Sequence, residues 1–228
     1  ADLVLFADTF NNYFESENAR AAHKVLQAAG YSVYLAKPAP SDAARTRPLC
    51  CGRTYLAAGL VEQAQAESRR VIEALEPFVA RGIPVVGLEP SCLLSLRDEF
   101  LVMGLGGGAV SLAKNSYLFE EFLAREHKAG RLHLKLAALP EKRALLHGHC
   151  HQKAFDAVKP VQQILGLIPE LKVELIESSC CGMAGSFGFD AQHYDISMQM
   201  AELSLLPALR KAGPDTLLVA DGTSCRHD

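Results

Sequence analysis

Two adjacent cysteines closed by a glycine occur twice in this chain, as Leu49-Cys50-Cys51-Gly52 and as Ser179-Cys180-Cys181-Gly182. Each pair is followed by Ser-Cys at nearly the same distance. Ser91-Cys92 brings a cysteine 41 positions beyond Cys51, and Ser224-Cys225 brings one 44 beyond Cys181. The upstream sides match too. Leu3-Val4-Leu5-Phe6-Ala7-Asp8-Thr9 sets beside Ala144-Leu145-Leu146-His147-Gly148-His149-Cys150, with Thr9 where the second copy has Cys150. A thiol-bearing unit is therefore repeated, and a repeated unit constrains the fold before any single element does. Six of the seven cysteines fall at equivalent places, and the seventh, Cys150, faces a threonine.

Size and charge narrow the class. A chain of 228 residues fits one or two domains at roughly 100–200 residues each. It is long enough to bury a core without a disulfide framework. The formal charge of −3 offers no basic footprint for nucleic acid. No run of eighteen apolar residues is present, so no membrane span is expected. No signal peptide opens the chain, which begins with Ala rather than Met, and both ends read as cut from a longer protein. An odd cysteine count with paired neighbours suits metal or redox work in a reducing, cytoplasmic setting.

Along the chain, apolar runs alternate with helical patterns. Strands are expected at Leu3–Ala7, Tyr31–Leu35 and Ile83–Leu88, and helices at Glu17–Ala29 and Thr54–Glu76, with Pro77 restarting or kinking the latter. Next come a short helix near Leu93–Met103, a glycine cluster at 104–108, a helix over Ser116–Lys128 and a strand over Leu132–Leu136. The second copy then follows. Strands are expected at Ala144–His147, Lys172–Ile176 and Thr216–Ala220, and helices at Val158–Gly166 and Gln192–Arg210, the latter bent at Pro207. The resulting division is a first unit at 1–103, a connecting segment at 104–140 and a second unit at 141–228, cut short at its C-terminus. The fold class is α/β: two tandem pseudo-repeats, each a small parallel sheet with flanking helices.

That alternation carries the chemistry. Parallel strands put their carboxyl ends on one edge of the sheet, where open α/β folds place their sites. Thr9, Cys50, Cys51 and Cys92 should converge there in one unit, and Cys150, Cys180, Cys181 and Cys225 in the other. Four thiols at one edge form a soft ligand set for an iron–sulfur cluster or for zinc. In the first unit the count is three, Thr9 is a poor ligand, and Asp8 is a further donor. His147, His149 and His151 bracket Cys150 at alternate positions. If His147 and His149 share the strand they share a face, and His149 is carried as an additional metal-ligand candidate. Gly104-Leu105-Gly106-Gly107-Gly108-Ala109 superficially fits a dinucleotide fingerprint, but no strand precedes it, and it reads as a flexible connector. Gly182, Gly185 and Gly188 would let backbone N–H groups approach the thiolates closely.

The paired-cysteine motifs resemble the cysteine-rich CCG domain. That domain is found twice in one of the subunits of heterodisulfide reductase and in the iron–sulfur subunits of glycolate oxidase and anaerobic glycerol-3-phosphate dehydrogenase. Asp8-Thr9-Phe10-Asn11-Asn12-Tyr13, Gly87-Leu88-Glu89-Pro90-Ser91-Cys92, His147-Gly148-His149-Cys150-His151 and Cys180-Cys181-Gly182-Met183-Ala184-Gly185-Ser186-Phe187-Gly188 look closer to one branch. It is the C-terminal region of FAD-linked oxidases of the D-lactate or D-2-hydroxyglutarate dehydrogenase type. The resemblance implies an electron-transfer module with a 4Fe–4S cluster on Cys150, Cys180, Cys181 and Cys225. FAD would sit in a separate domain, and a ferredoxin-like domain of the same longer protein would precede this piece. An electron acceptor and a cytoplasmic location, peripheral at the inner face of the membrane, are further implications. The family pattern ends in Cys-x-x-Cys, whereas Leu93-Leu94-Ser95 and Arg226-His227-Asp228 follow here, so an ordinary four-thiolate site is the expectation. The rival expectations are a thiol/disulfide reductase module and a scaffold that binds zinc or no metal.

Overall fold

The computed structural model describes residues 1–227. It divides into two compact units, one of residues 1–122 and 126–134, the other of residues 123–125 and from 135 onward. The first unit opens with β1 (Asp2–Phe6), α1 (Thr9–Tyr13), α2 (Ser16–Ala28) and β2 (Ser32–Leu35). It continues through α3 (Arg53–Ala57), α4 (Val61–Val79), β3 (Val85–Gly87), α5 (Pro90–Ser95) and α6 (Glu99–Val102) to α7 (Gly107–Asn115), β4 (Ser116–Leu118) and α8 (Phe119–Lys128). The strand order is β2-β1-β3-β4, and every pairing is parallel.

The second unit runs β5 (Arg143–His147), α9 (Cys150–Ala154), α10 (Val158–Leu165) and β6 (Lys172–Leu175). After a 3-10 turn at Phe187–Phe189 come α11 (Tyr194–Glu202), α12 (Leu205–Arg210), β7 (Thr216–Ala220) and α13 (Thr223–Arg226). Its order is β6-β5-β7, again all parallel. The repeat therefore extends to topology and register. In both units the first strand lies between the second and the third, Phe6 pairs with Gly87, and His147 pairs with Ala220.

The central strands explain why the sheets form. Leu3, Val4 and Leu5 are fully buried, as are Ala144 and Leu146, so both faces are covered and an uninterrupted apolar run replaces alternation. Leu145 packs with Ile176, Cys181, Met183 and Leu205, while Leu146 packs with Val158 and Val161 of α10 on the opposite face. Each such leucine contributes roughly 1.5–3 kcal/mol.

Several elements differ from the sequence expectation for identifiable reasons. The Thr54–Glu76 helix is two helices, because Gly59 at φ 74° ends α3. α4 runs through Pro77 to Val79, with the proline confined to its last turn. The glycine cluster starts α7, and a Cβ at Gly108 would meet Ile72 Cγ2 at 2.7 Å, so glycine there permits close packing on α4. Ser116–Leu118, expected to be helical, is instead β4. Among the described residues no strand covers 132–136. The helix expected over Gln192–Arg210 breaks before Leu205, ahead of Pro207.

Candidate metal centre in the second unit

β5 ends at His147, and the chain turns through Gly148 into α9. His149 caps that helix: its Nδ1 accepts from His151 N–H at 3.1 Å, while its own N–H donates to Gln152 Oε1 at 3.1 Å. Gln152, fully buried, donates through Nε2 to Asp221 Oδ2 at 2.5 Å, tying α9 to the loop that leads into α13. Cys150, the first residue of α9, is exposed. Lys153, three residues on, reaches across to the loop before the cysteine pair. Its Nζ donates to Ser178 O, to Ser179 O at 2.8 Å and to Ser178 Oγ at 3.4 Å.

The pair itself is held by backbone. Gly182 N–H points at Cys180 Sγ at 3.4 Å, and Gly182 has φ 117°. A side chain there would also strike Ser197 O of α11, so both conformation and space require glycine. Cys225 lies in α13, and Arg226 anchors this helix through Nη1 to Ala220 O at 2.9 Å and Asp221 O at 2.6 Å.

These supports bring three donors together. Cys181 Sγ, Cys225 Sγ and a ring nitrogen of His147 all lie within 4.8 Å of one another, the one such group among the described residues. Cys150 and Cys180 stand outside this triangle; Cys150 is within electrostatic reach of it, and Cys180 packs against the cluster that holds Cys181. The electrostatics favour thiolate at its centre. Cys181 is held below the usual thiol range by the S–H of Cys225, with His147 and the Met183 N–H adding to the effect. Cys225 is pushed up because its proton is shared with Cys181. Burial pulls the Lys153 ammonium down, while the four thiols around it work the other way. A soft, partly ionised, mostly buried donor set of this kind fits a metal or an iron–sulfur group.

The first unit reproduces the scaffold with a different charge logic. Asp8 caps α1 as His149 caps α9, its Oδ1 accepting from Phe10 N–H at 2.9 Å and Asn11 N–H at 3.1 Å. Gly52 N–H approaches Cys50 Sγ at 3.5 Å, matching Gly182. Thr9, Cys50, Cys51 and Cys92 form a chain of side-chain hydrogen bonds. Here every thiol is pushed up. Cys50 rises through its bond to Cys51 and through burial. Cys51 is lowered by Cys50, but its bond to Cys92 and burial outweigh that. Cys92 is lowered by its bond to Cys51, yet burial and the charges of Asp8 and Glu89 dominate. Asp8 and Glu89 are each 2% exposed, and burial raises Asp8 with Glu89 adding to the rise.

In the structure the thiols of each unit follow its strands, as the sequence pattern predicts. That pattern also points to His149, which the structure commits to a helix cap against Gly222, whereas His147 is the histidine that joins the sulfurs. Lys153 was missed; its only sequence signal is the i, i+3 spacing from Cys150.

The region that carries this arrangement matches a known family. Residues 144–227 fit the cysteine-rich domain designated CCG. The match covers most of the second unit. The whole chain is similar to one of the subunits of anaerobic glycerol-3-phosphate dehydrogenase of Escherichia coli K12, 28% identical over 98% of this chain and 53% of the relative. It is similar to D-2-hydroxyglutarate dehydrogenase of the same organism, 23% identical over 98% of this chain and 20% of that protein. Lactate utilization protein A 1 of Bacillus mycoides is 26% identical over 67% of the chain and 62% of its own length. The chain thus spans about half, or about a fifth, of the first two relatives, both of which are named as dehydrogenases or parts of one. No described helix is long and apolar enough to cross a membrane.

Proposed function

We propose that this CCG-containing chain is the electron-transfer module of a flavin-dependent 2-hydroxy acid dehydrogenase, with an iron–sulfur centre in its second unit. The observation that carries this is the triangle of Cys181, Cys225 and His147 in a unit whose relatives are named as dehydrogenases. Cys181 and Cys225 would hold the group, with Cys180 and Cys150 beside them as further thiols. A bound iron–sulfur group, here of the 4Fe–4S type, supplies one-electron storage and release. The residues of the chain do the rest. Gly182 N–H and Met183 N–H orient toward sulfur and stabilise negative charge there. Lys153 offsets that charge from the α9 side while pinning the Ser178–Ser179 backbone. The packing of Leu145, Ile176, Met183 and Leu205 excludes water from the Cys181 side.

In this reading the hydroxy acid is oxidised at FAD in a separate domain of a longer protein, and a ferredoxin-like domain of that protein precedes this chain. An external acceptor takes the electrons, and the protein works in the cytoplasm, peripheral to the inner face of the membrane. In the first unit, Cys50, Cys51 and Cys92 form a weaker metal site, because the hydrogen bonds among them and burial disfavour their thiolates, with the charges of Asp8 and Glu89 adding at Cys92. The test is iron and acid-labile sulfide analysis of chain purified without oxygen, with absorbance near 400 nm that bleaches on dithionite reduction. Iron and sulfide in comparable amounts are expected. Zinc without sulfide, or no metal, would refute the electron-transfer reading, and disulfide-reductase turnover with a low-potential donor would replace it with thiol chemistry.

A further inference from the structure

His147 is the last residue of β5, on the face that carries Leu145, and Leu145 packs against Cys181 with Cys180 and Cys225 nearby. The corresponding last residue of β1 is Phe6, which is 1% exposed and has no donor atom. His147 is 4% exposed. Its Nδ1 lies 2.8 Å from Ser178 Oγ, and its Nε2 is buried with no hydrogen-bond partner. A buried polar nitrogen without a partner is unfavourable unless something else occupies it. A ring nitrogen of this residue is also within 4.8 Å of both Cys181 Sγ and Cys225 Sγ.

We propose that His147 ligates the centre of the second unit through Nε2. The donor set is then Cys180, Cys181, Cys225 and one imidazole, and Cys150 is left outside it. This rests on the reading of the second unit as a metal centre. Three features support it. Metal-bound histidines commonly engage their second ring nitrogen in a hydrogen bond that fixes the ring, and Ser178 Oγ stands at Nδ1. Ser178 is itself held by Lys153 Nζ, so the ring has a rigid support. Cys150 is exposed at the start of a five-residue helix, whereas Cys180 is half-buried and packs against the cluster that holds Cys181. Nitrogen in place of one thiolate removes a negative charge from the ligand set, which raises a cluster's reduction potential relative to four thiolates.

The test uses the whole chain, purified without oxygen, with histidine at natural abundance or labelled with 15N. Pulsed EPR of the reduced centre should show a directly bound nitrogen whose coupling changes with the label. The coupling should vanish in His147→Phe, the residue type the first unit carries at this place. Cys150→Ser should keep both the iron and the coupling. An iron-loaded parent without nitrogen coupling would overturn the assignment, as would coupling that survives His147→Phe or iron loss in Cys150→Ser matching that in His147→Phe. If His147→Phe does not fold by circular dichroism, the labelled parent still decides, because coupling must be present and must follow the label. If the chain takes up no iron or sulfide, the electron-transfer reading fails separately, and Co2+ titration tests the ligand. Tetrahedral cobalt absorption is then expected in the parent, with binding weaker by about tenfold or more in His147→Phe. Equal cobalt binding in the two, or none in the parent, would overturn it.

Discussion

A methyl group added at Gly222 would collide with His149 Cδ2 and lie 2.9 Å from its Nε2. The backbone there has φ −83°, so space and not conformation is what demands glycine. In the first unit the equivalent cap positions carry Asp8 and Glu89, a shorter residue facing a longer one. The pairs are thus exchanged together between units, His149 with Gly222 and Asp8 with Glu89. Gly222→Ala is expected to destabilise the second unit by about 1–3 kcal/mol through overpacking. His149→Asp should relieve most of that cost, since aspartate still caps α9 and leaves room. Urea unfolding of the two single variants and the double variant measures the coupling, and strictly additive effects would contradict the exchange.

At the scale of the element, α9 depends on a cap that titrates. Burial first, and the nearby charge of His151 second, pull His149 down to about 4 from an ordinary 6.5. Between those values the unfolded chain binds the proton and the folded one does not, so stability falls as pH drops from 6.5 toward 4. The loss is about 3 kcal/mol at its limit. Metal-free protein should therefore unfold at markedly lower urea at about pH 5 than at about pH 7. His149→Asn, a cap that does not titrate, should flatten that dependence, and an unchanged slope would count against the assignment. The first unit has the opposite sign. Burial raises Asp8, so the folded state holds its proton more tightly than the unfolded chain does, and acid does not cost this cap its stability.

Over the whole molecule, two copies of one scaffold differ in the electrostatics of one thiol, Cys181. In the second unit, with His147 and Lys153 beside the thiols, Cys181 is lowered while Cys150 and Cys225 are raised. In the first, where Asp8 and Glu89 act on Cys92, all three are raised. Metal binding requires thiolate, so the second unit should hold most of it. Cys225→Ser is expected to strip most iron and sulfide from anaerobic chain, whereas Cys92→Ser should change the content little. Equal losses in the two variants would refute the asymmetry. Both variants should fold, because the buried leucines and valines of each sheet do not depend on metal.

The repeat, the parallel sheets and the grouping of cysteines by unit were legible in the residues themselves. Apolar runs of four or five residues dictate buried parallel strands, and Cys-Cys-Gly recurs at fixed distances from them. The match of Thr9 with Cys150 likewise survives as the first residues of α1 and α9. That His147 and not His149 stands beside the two sulfurs shows only in the tertiary structure. Alternation along a strand puts both on one face, but β5 stops at His147 and Gly148 turns the chain, sending His149 into a cap. The same holds for β4, whose three residues lack a strand-length pattern and pair only because β3 offers an edge. Lys153, Ser178 and the Asp8–Glu89 pair gain their meaning from groups far away in sequence. Burial sets which charges those groups feel, and no local pattern encodes burial of that kind.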